Sequence, residues 1–169
     1  MLTFTLSEEN LPYIDPIHAI VVHFVIAMVI ISFIFEVAGY ITKRQSLLNA
    51  AWWNLLVAGV MIFVAIFFGQ FEAGLAEPSQ AAQPVLNRHM AVGWLLLLLL
   101  PQLTLWQGIT RYRNPSKVSL LQLGAKLIIV VLVFYQVMLG TQVFWVHGIH
   151  VKPVVQATNL ENPQENLLN

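Results

Sequence analysis

Five histidines are the residues of this sequence best suited to chemistry: His18, His23, His89, His147 and His150. The chain contains no cysteine, which excludes thiolate metal sites, iron–sulfur clusters and disulfides. Neutral imidazole remains a good ligand for haem iron, copper and zinc. No Ser-His-Asp pattern and no metalloprotease motif accompanies the histidines, so the sequence favours an electron-transfer or accessory protein over a stand-alone enzyme.

The composition places the histidines in a membrane protein. Of the 169 residues, 58% are apolar and only 9% are charged, whereas an average soluble domain is about 25% charged. The formal net charge is zero, so there is no basic stripe to bind nucleic acid. Uncharged runs cover residues 16–35, 45–71, 89–110 and 127–151. Each run is long enough to cross a bilayer, which takes about 20 residues in a helix.

These runs predict an all-α fold, an integral membrane four-helix bundle with antiparallel up-down topology. We expect spans at residues 16–42, 51–73, 84–110 and 120–147, within a single domain of residues 1–151. Asp15-Pro16 is typical of a helix start and Gly148 of a helix end. Residues 152–169, rich in Asn, Gln and Pro, are expected to form a flexible polar tail.

The charged residues predict the orientation of the bundle. Seven of the eight acidic residues fall on one side, and six of the eight basic residues fall on the other. Those six are Lys43, Arg44, Arg111, Arg113, Lys117 and Lys126. The positive-inside rule then places both termini outside. We therefore expect a protein of a bacterial plasma membrane or a thylakoid membrane, in contact with the lipid bilayer.

This topology brings all the histidines to the outer end of the bundle. Counted from the helix starts, His23 and His89 lie at a similar depth, on the order of 10 Å along the axis, and His18 and His147 lie nearer the surface. We expect His23 and His89 to be the axial ligands of a b-type haem. His18 and His147 are expected to bind a second haem or the haem propionates. His150 is expected to be an ordinary interfacial residue.

Other interpretations of the histidines stay open. The same imidazoles suit copper, in which case the chain is a non-catalytic accessory or assembly subunit that handles copper or another metal. Copper is less favoured because cysteine is absent and only Met90 is adjacent to a histidine. In the haem interpretation, Phe24, Trp94 and Trp145 are expected to form the walls of the porphyrin site. A purely structural or proton-linked cluster is a third possibility.

Two further features of the spans predict packing. Glu36 is the only acidic residue within a span, and an ion pair with Lys126, at a comparable depth, is favoured over a proton or quinone site. Ala65, Gly69 and Ala73 repeat small residues every four positions along helix 2, which permits a neighbouring helix to approach closely.

The motifs around the histidines resemble a family of bacterial four-span membrane proteins, the domain-of-unknown-function 2231 family. Residues 17–27 are similar to its opening signature, a histidine followed by His-Phe-Pro-Ile-Ala, with Ala19 and Val25 in place of two prolines. His89 corresponds to the third-span histidine, and residues 140–148 are similar to the closing Gly and His-Gly. The resemblance covers nearly the whole chain before the tail.

The resemblance implies a redox setting. Members of the family look like companions of respiratory redox modules, and some are fused to Rieske or cytochrome c domains. It therefore favours haem b over copper, and the four histidines leave open whether one or two haem groups are bound. The expected function is electron transfer near the outer, periplasmic or lumenal face, accessory to a respiratory or photosynthetic chain. Partners such as a terminal oxidase or a cytochrome are expected, and the oligomeric state stays open.

Overall fold

A computed structural model describes residues 15–76 and 78–149 of the chain. It contains four α-helices, α1 (Asp15–Thr42), α2 (Gln45–Leu75), α3 (Gln83–Arg113) and α4 (Leu120–Thr141), and a π-helical turn, Gln142–Val146, continues α4. Each of the four is long and apolar enough to cross a membrane. For the described residues, the prediction of an all-helical fold with four helices able to span a membrane is thereby confirmed. His150 and the predicted tail, 152–169, lie outside the described residues.

The helix ends differ in detail from the expected spans. Only two residues separate α1 from α2, and the first of them, Lys43, has φ 57°, in the left-handed region. Because this turn is so short, α2 begins at Gln45, ahead of the start expected at residue 51. Helix α3 continues through Pro101. Gly148, with φ 59°, follows the π-helical turn as expected for a residue that ends a helix.

Glycines allow the closest approaches between neighbouring helices. These contacts pair His18 with Gly69, Gly39 with Leu48, Gly59 with Thr104, Trp52 with Gly108, and His89 with Gly140. A Cβ atom added at any of these glycines would lie between 2.6 and 3.1 Å from the facing side chain. The neighbouring side chains therefore occupy space that any larger residue would need.

The bundle core is a column of aliphatic side chains from all four helices. On α1, Val25, Val29 and Ser32 are buried at intervals of three or four residues, so one stripe of the helix faces inward. Followed toward the helix start, this stripe leads to His18, whereas His23 falls on the opposite face. The other helices contribute Leu55, Ala58, Ile62, Ala65, Leu96, Leu100, Leu103, Ile129, Val130 and Val133.

The outward faces of the helices are apolar as well. Large side chains on all four helices are exposed, among them Ile20, Phe67, Leu105 and Val131. In water such surfaces would associate, whereas in a bilayer they contact hydrocarbon at no cost. The described surface therefore fits a protein surrounded by lipid.

Candidate histidine site

His18 and His89 are half-buried histidines on two different helices, α1 and α3. His18 lies on the inward stripe of α1, and His89 faces α4. They lie at the same end of the bundle: Gly93, one turn after His89 on α3, packs on Ile66 of α2, the residue after the carbonyl that His18 contacts. Because they come from separate helices, they are able to approach one bound group from two directions.

His18 is seated against the backbone of α2. Its Nδ1 lies 2.9 Å from the carbonyl oxygen of Ala65, and its ring packs over Gly69, where an added Cβ would lie 2.7 Å from Cε1. Because a carbonyl only accepts hydrogen bonds, Nδ1 carries the proton and the ring lone pair lies on Nε2. Imidazoles that bind metals commonly have this backbone-anchored arrangement. Ala65 and Gly69, two of the small residues along α2, therefore form the surface against which His18 packs.

His89 is held by Gln136 of α4. The side-chain nitrogen of Gln136 lies 3.0 Å from the backbone carbonyl oxygen of His89 and 3.2 Å from its Nε2. The carbonyl requires a donor, so the amide nitrogen donates to both atoms and the proton of the neutral His89 ring is on Nδ1. The ring packs over Gly140, where an added Cβ would lie 3.1 Å from Cε1.

Two buried polar atoms at this contact have no hydrogen-bond partner among the described residues: Nδ1 of His89 and Oε1 of Gln136. An unpaired polar atom costs several kcal/mol in an apolar membrane interior, where water does not replace the missing partner. One of these atoms is a donor and the other an acceptor. The site is therefore suited to a further group, either an ordered water or a cofactor.

His23 faces away from the bundle interior. Its side chain is exposed, and its Nδ1 lies 2.5 Å from the carbonyl oxygen of Ala19, one turn earlier in the same helix. His23 and His89 were expected to pair because their depths agree, but depth along an axis does not determine the face of a helix. The structure brings His18, rather than His23, toward His89. Ligation of iron by His23 stays a prediction.

His147 and the aromatic residues lie at the periphery of the site. His147 is half-buried directly after the π-helical turn, and its backbone N–H donates to the carbonyl of Gln142 at 3.1 Å. Phe24, Trp94 and Trp145, expected to form walls around a porphyrin, are 42%, 50% and 77% exposed. These three rings are therefore largely exposed at the surface of the bundle.

Residues of α1, α3 and α4 form a buried polar network at the opposite end of the bundle. The side chains of Lys126 and Glu36 are 0% and 4% exposed and form the predicted ion pair. Lys126 Nζ also donates to Ser32 Oγ at 3.0 Å, and Gln107 donates to Glu36. A cleft of about 20 Å³ beside Glu36 and Gln107 has room for about one water molecule. Hydrogen bonds and an ion pair therefore connect α1, α3 and α4 inside the bundle at this end.

Sequence reasoning missed the residues that support both polar sites. At the histidine site these are Gln136 and the backbone of Ala65, and in the ion-pair network they are Ser32 and Gln107. The three side chains share a signal that was present in the sequence, because each is a polar residue inside an apolar span. The backbone carbonyl has no such signal.

A comparison with models of known protein families supports the resemblance that the sequence motifs indicate. The family model described as "Predicted membrane protein (DUF2231)" matches residues 14–153, which confirms the resemblance drawn from the histidine motifs. No curated protein and no solved structure matches the chain. Within residues 15–76 and 78–149, no group of three or more His, Cys, Asp or Glu side chains is placed to hold a metal ion.

Proposed function

The chain belongs to the DUF2231 family of predicted membrane proteins, and from that premise we propose that it is a b-type haem protein that transfers electrons. The observation that carries this proposal is the pair of half-buried imidazoles at one end of the bundle, His18 packed on Gly69 of α2 and His89 packed on Gly140 of α4. A haem provides four nitrogen ligands of its own and needs one or two from the protein. Copper and zinc sites commonly need three or more protein ligands.

The residues at this site fit a haem, with a change in the expected ligand pair. His18 and His89 would hold the iron, because His18 faces inward and His23 faces outward. His89 would bind through Nε2, giving up the hydrogen bond that this atom accepts from Gln136, whose amide nitrogen would still donate to the His89 carbonyl. Ala65 orients the His18 ring through its carbonyl oxygen, and such a bond increases the basicity of an imidazole ligand. His147 remains a candidate partner for the propionates. When bound, the haem supplies reversible one-electron chemistry at its iron.

The proposal includes an antiparallel up-down bundle with both termini outside. In support, His18 at the start of α1 packs on Gly69 near the end of α2, and His89 near the start of α3 packs on Gly140 near the end of α4. The excess of basic residues at the other end favours an internal location for that end. Electron transfer would then occur near the periplasmic or lumenal face of a bacterial plasma or thylakoid membrane, with a terminal oxidase or a cytochrome as partner.

The absorption spectrum of the protein purified in detergent, combined with a pyridine haemochrome assay, tests this function. We expect a Soret band and haem b in stoichiometric amount, unchanged in His23→Ala, and a shifted Soret band or a lower haem content in His18→Ala and His89→Ala. A protein without a Soret band, which binds added haemin no more tightly than His89→Ala does, contradicts the proposal. Stoichiometric copper without haem would select the accessory, copper-handling function in its place.

A further inference from the structure

A second candidate binding site is an open groove between α2 and α3, at the end of the bundle opposite the histidine site. Its volume is about 560 Å³, and it is open along one side. The residues that define it are Trp52, Leu56, Leu105, Gly108, Tyr112 and Arg113.

The walls and floor of the groove are apolar. The Trp52 ring packs directly on Gly108, where an added Cβ would lie 2.8 Å from Cη2. The hydroxyl of Thr104, also on the lining, donates to the carbonyl of Leu100 at 2.8 Å. Leu105 is 68% exposed along one wall. The body of the groove therefore suits hydrocarbon.

The mouth of the groove is polar and cationic. Tyr112 and Arg113, the last residues of α3, are exposed there. Between Thr104 and Arg113 the groove follows α3 for roughly 13 Å, at the usual rise of about 1.5 Å per residue. An amphiphile with an apolar chain and an acidic head group matches this arrangement.

The charge of the surrounding surface favours an anionic head group. We define the basic end of the bundle as Lys43, Arg44, Arg111, Arg113 and Lys117. Among the described residues at this end, the carboxylate of Glu36 is buried and paired with Lys126. The exposed charged side chains among the described residues at this end, Lys43, Arg44, Arg113 and Lys117, are therefore all positive, and basic residues at a membrane surface attract anionic lipids.

We propose that the groove binds an anionic phospholipid, with an acyl chain along Leu56 and Leu105 and the phosphate at Arg113. The apolar body explains why a lipid chain is held, and the cationic mouth explains why an acidic head group is preferred. The two parts lie on one continuous surface, so a single molecule contacts both. This site is separate from the histidine site and does not depend on haem binding.

Thermal unfolding of the full chain in detergent tests the lipid site. Phosphatidylglycerol and phosphatidylcholine with the same acyl chains, and inorganic phosphate alone, are titrated in parallel. We expect phosphatidylglycerol to raise the Tm at lower concentration than phosphatidylcholine, and inorganic phosphate to have no such effect. Arg113→Gln should weaken the apparent affinity for phosphatidylglycerol about fivefold, the value expected for one basic contact at a membrane surface.

The matched control is Arg44→Gln, which removes an exposed arginine from the same end but outside the groove. It should weaken the response to phosphatidylglycerol less than Arg113→Gln does, because Arg44 adds to the charge of this end but does not line the groove, and Arg113→Lys should restore most of the affinity lost in Arg113→Gln. Equal responses to the two lipids overturn the proposal, as does an equal effect of the two Gln variants. A response to inorganic phosphate alone, or occupation of the groove by a second copy of the chain, also overturns it.

Discussion

At the scale of single residues, the position of His18 depends on Gly69 of α2, which has no side chain in the space that the imidazole ring occupies. Gly69 leaves the space into which the imidazole ring packs, and the carbonyl of Ala65 fixes the ring through Nδ1. His89 repeats the arrangement against Gly140, with Gln136 as the polar partner. Each interior histidine is therefore positioned by a glycine and by a hydrogen bond to a neighbouring helix.

The variant Gly69→Ala tests whether the contact with Gly69 positions the His18 ring. Its added Cβ would lie 2.7 Å from the His18 ring, so we expect the ring to be displaced, at a cost of about 1–3 kcal/mol for overpacking. Haem retention should fall at the same time. The matched control is Gly74→Ala on the same helix, where an added Cβ meets nothing within 4 Å.

Thermal unfolding and the haem-to-protein ratio of both variants are the measurements. Gly74→Ala should be neutral or slightly stabilising, because alanine favours the helix over glycine by up to about 1 kcal/mol. If Gly69→Ala retains as much haem and the same Tm as Gly74→Ala, the contact between Gly69 and His18 does not determine the site.

At the scale of the helices, the positions of the four spans could be predicted from the sequence, but the pattern of apolar residues does not reveal which face of each helix points inward. Uncharged runs and basic connections located four helices and placed the histidines near helix ends. Apolar residues cover the lipid-facing sides as well, so hydrophobicity alone does not distinguish inside from outside. The polar residues of the spans indicate which face points inward. His18 and Glu36 are 18 positions apart, about five helical turns, so they lie on the same face of α1. His23 does not.

Two local features had no clear sequence signal. The π-helical turn Gln142–Val146 changes the helical register just before His147, and no residue type marks such a turn. The left-handed conformation of Lys43 completes the connection between α1 and α2, although glycine or asparagine is the usual residue there. Neither feature follows from the local preferences of the residues involved.

The ion pair between Glu36 of α1 and Lys126 of α4 is expected to stabilise the packing of these two helices. Lys126→Met leaves Glu36 buried without its cation, and Glu36→Gln leaves Lys126 without its anion. Each single variant should lose about 3–5 kcal/mol of stability, because one partner of a buried pair then stays uncompensated. The double variant should lose less than the sum of the two. Denaturant unfolding in detergent measures all four proteins of this cycle, and strictly additive losses would show that the pair is not coupled.

At the scale of the whole molecule, the bundle has two chemically different ends. The histidine site lies at one end, and the ion-pair network and the basic end lie at the other, with an aliphatic core between them. Such a division suits a protein that accepts and donates electrons at one membrane face. The proposed orientation, with the histidine site outside, is therefore a central part of the account.

Single engineered cysteines test this orientation without background, because the chain has no cysteine of its own. Ala81→Cys lies in the exposed connection between α2 and α3, and Ser116→Cys in the exposed connection between α3 and α4. In intact cells, a membrane-impermeant maleimide is expected to label the cysteine of Ala81→Cys. That of Ser116→Cys should react only after the membrane is permeabilised. The reverse pattern would place the histidine site inside.

The most direct test of the central claim is the spin state of the ferric haem-loaded protein, measured by electron paramagnetic resonance. Two imidazole ligands from His18 and His89 predict a low-spin signal in the wild type and in His23→Ala. In His18→Ala, the loss of one ligand should convert this signal to high spin or abolish haem binding. A low-spin signal that survives in His18→Ala but disappears in His23→Ala would contradict the account.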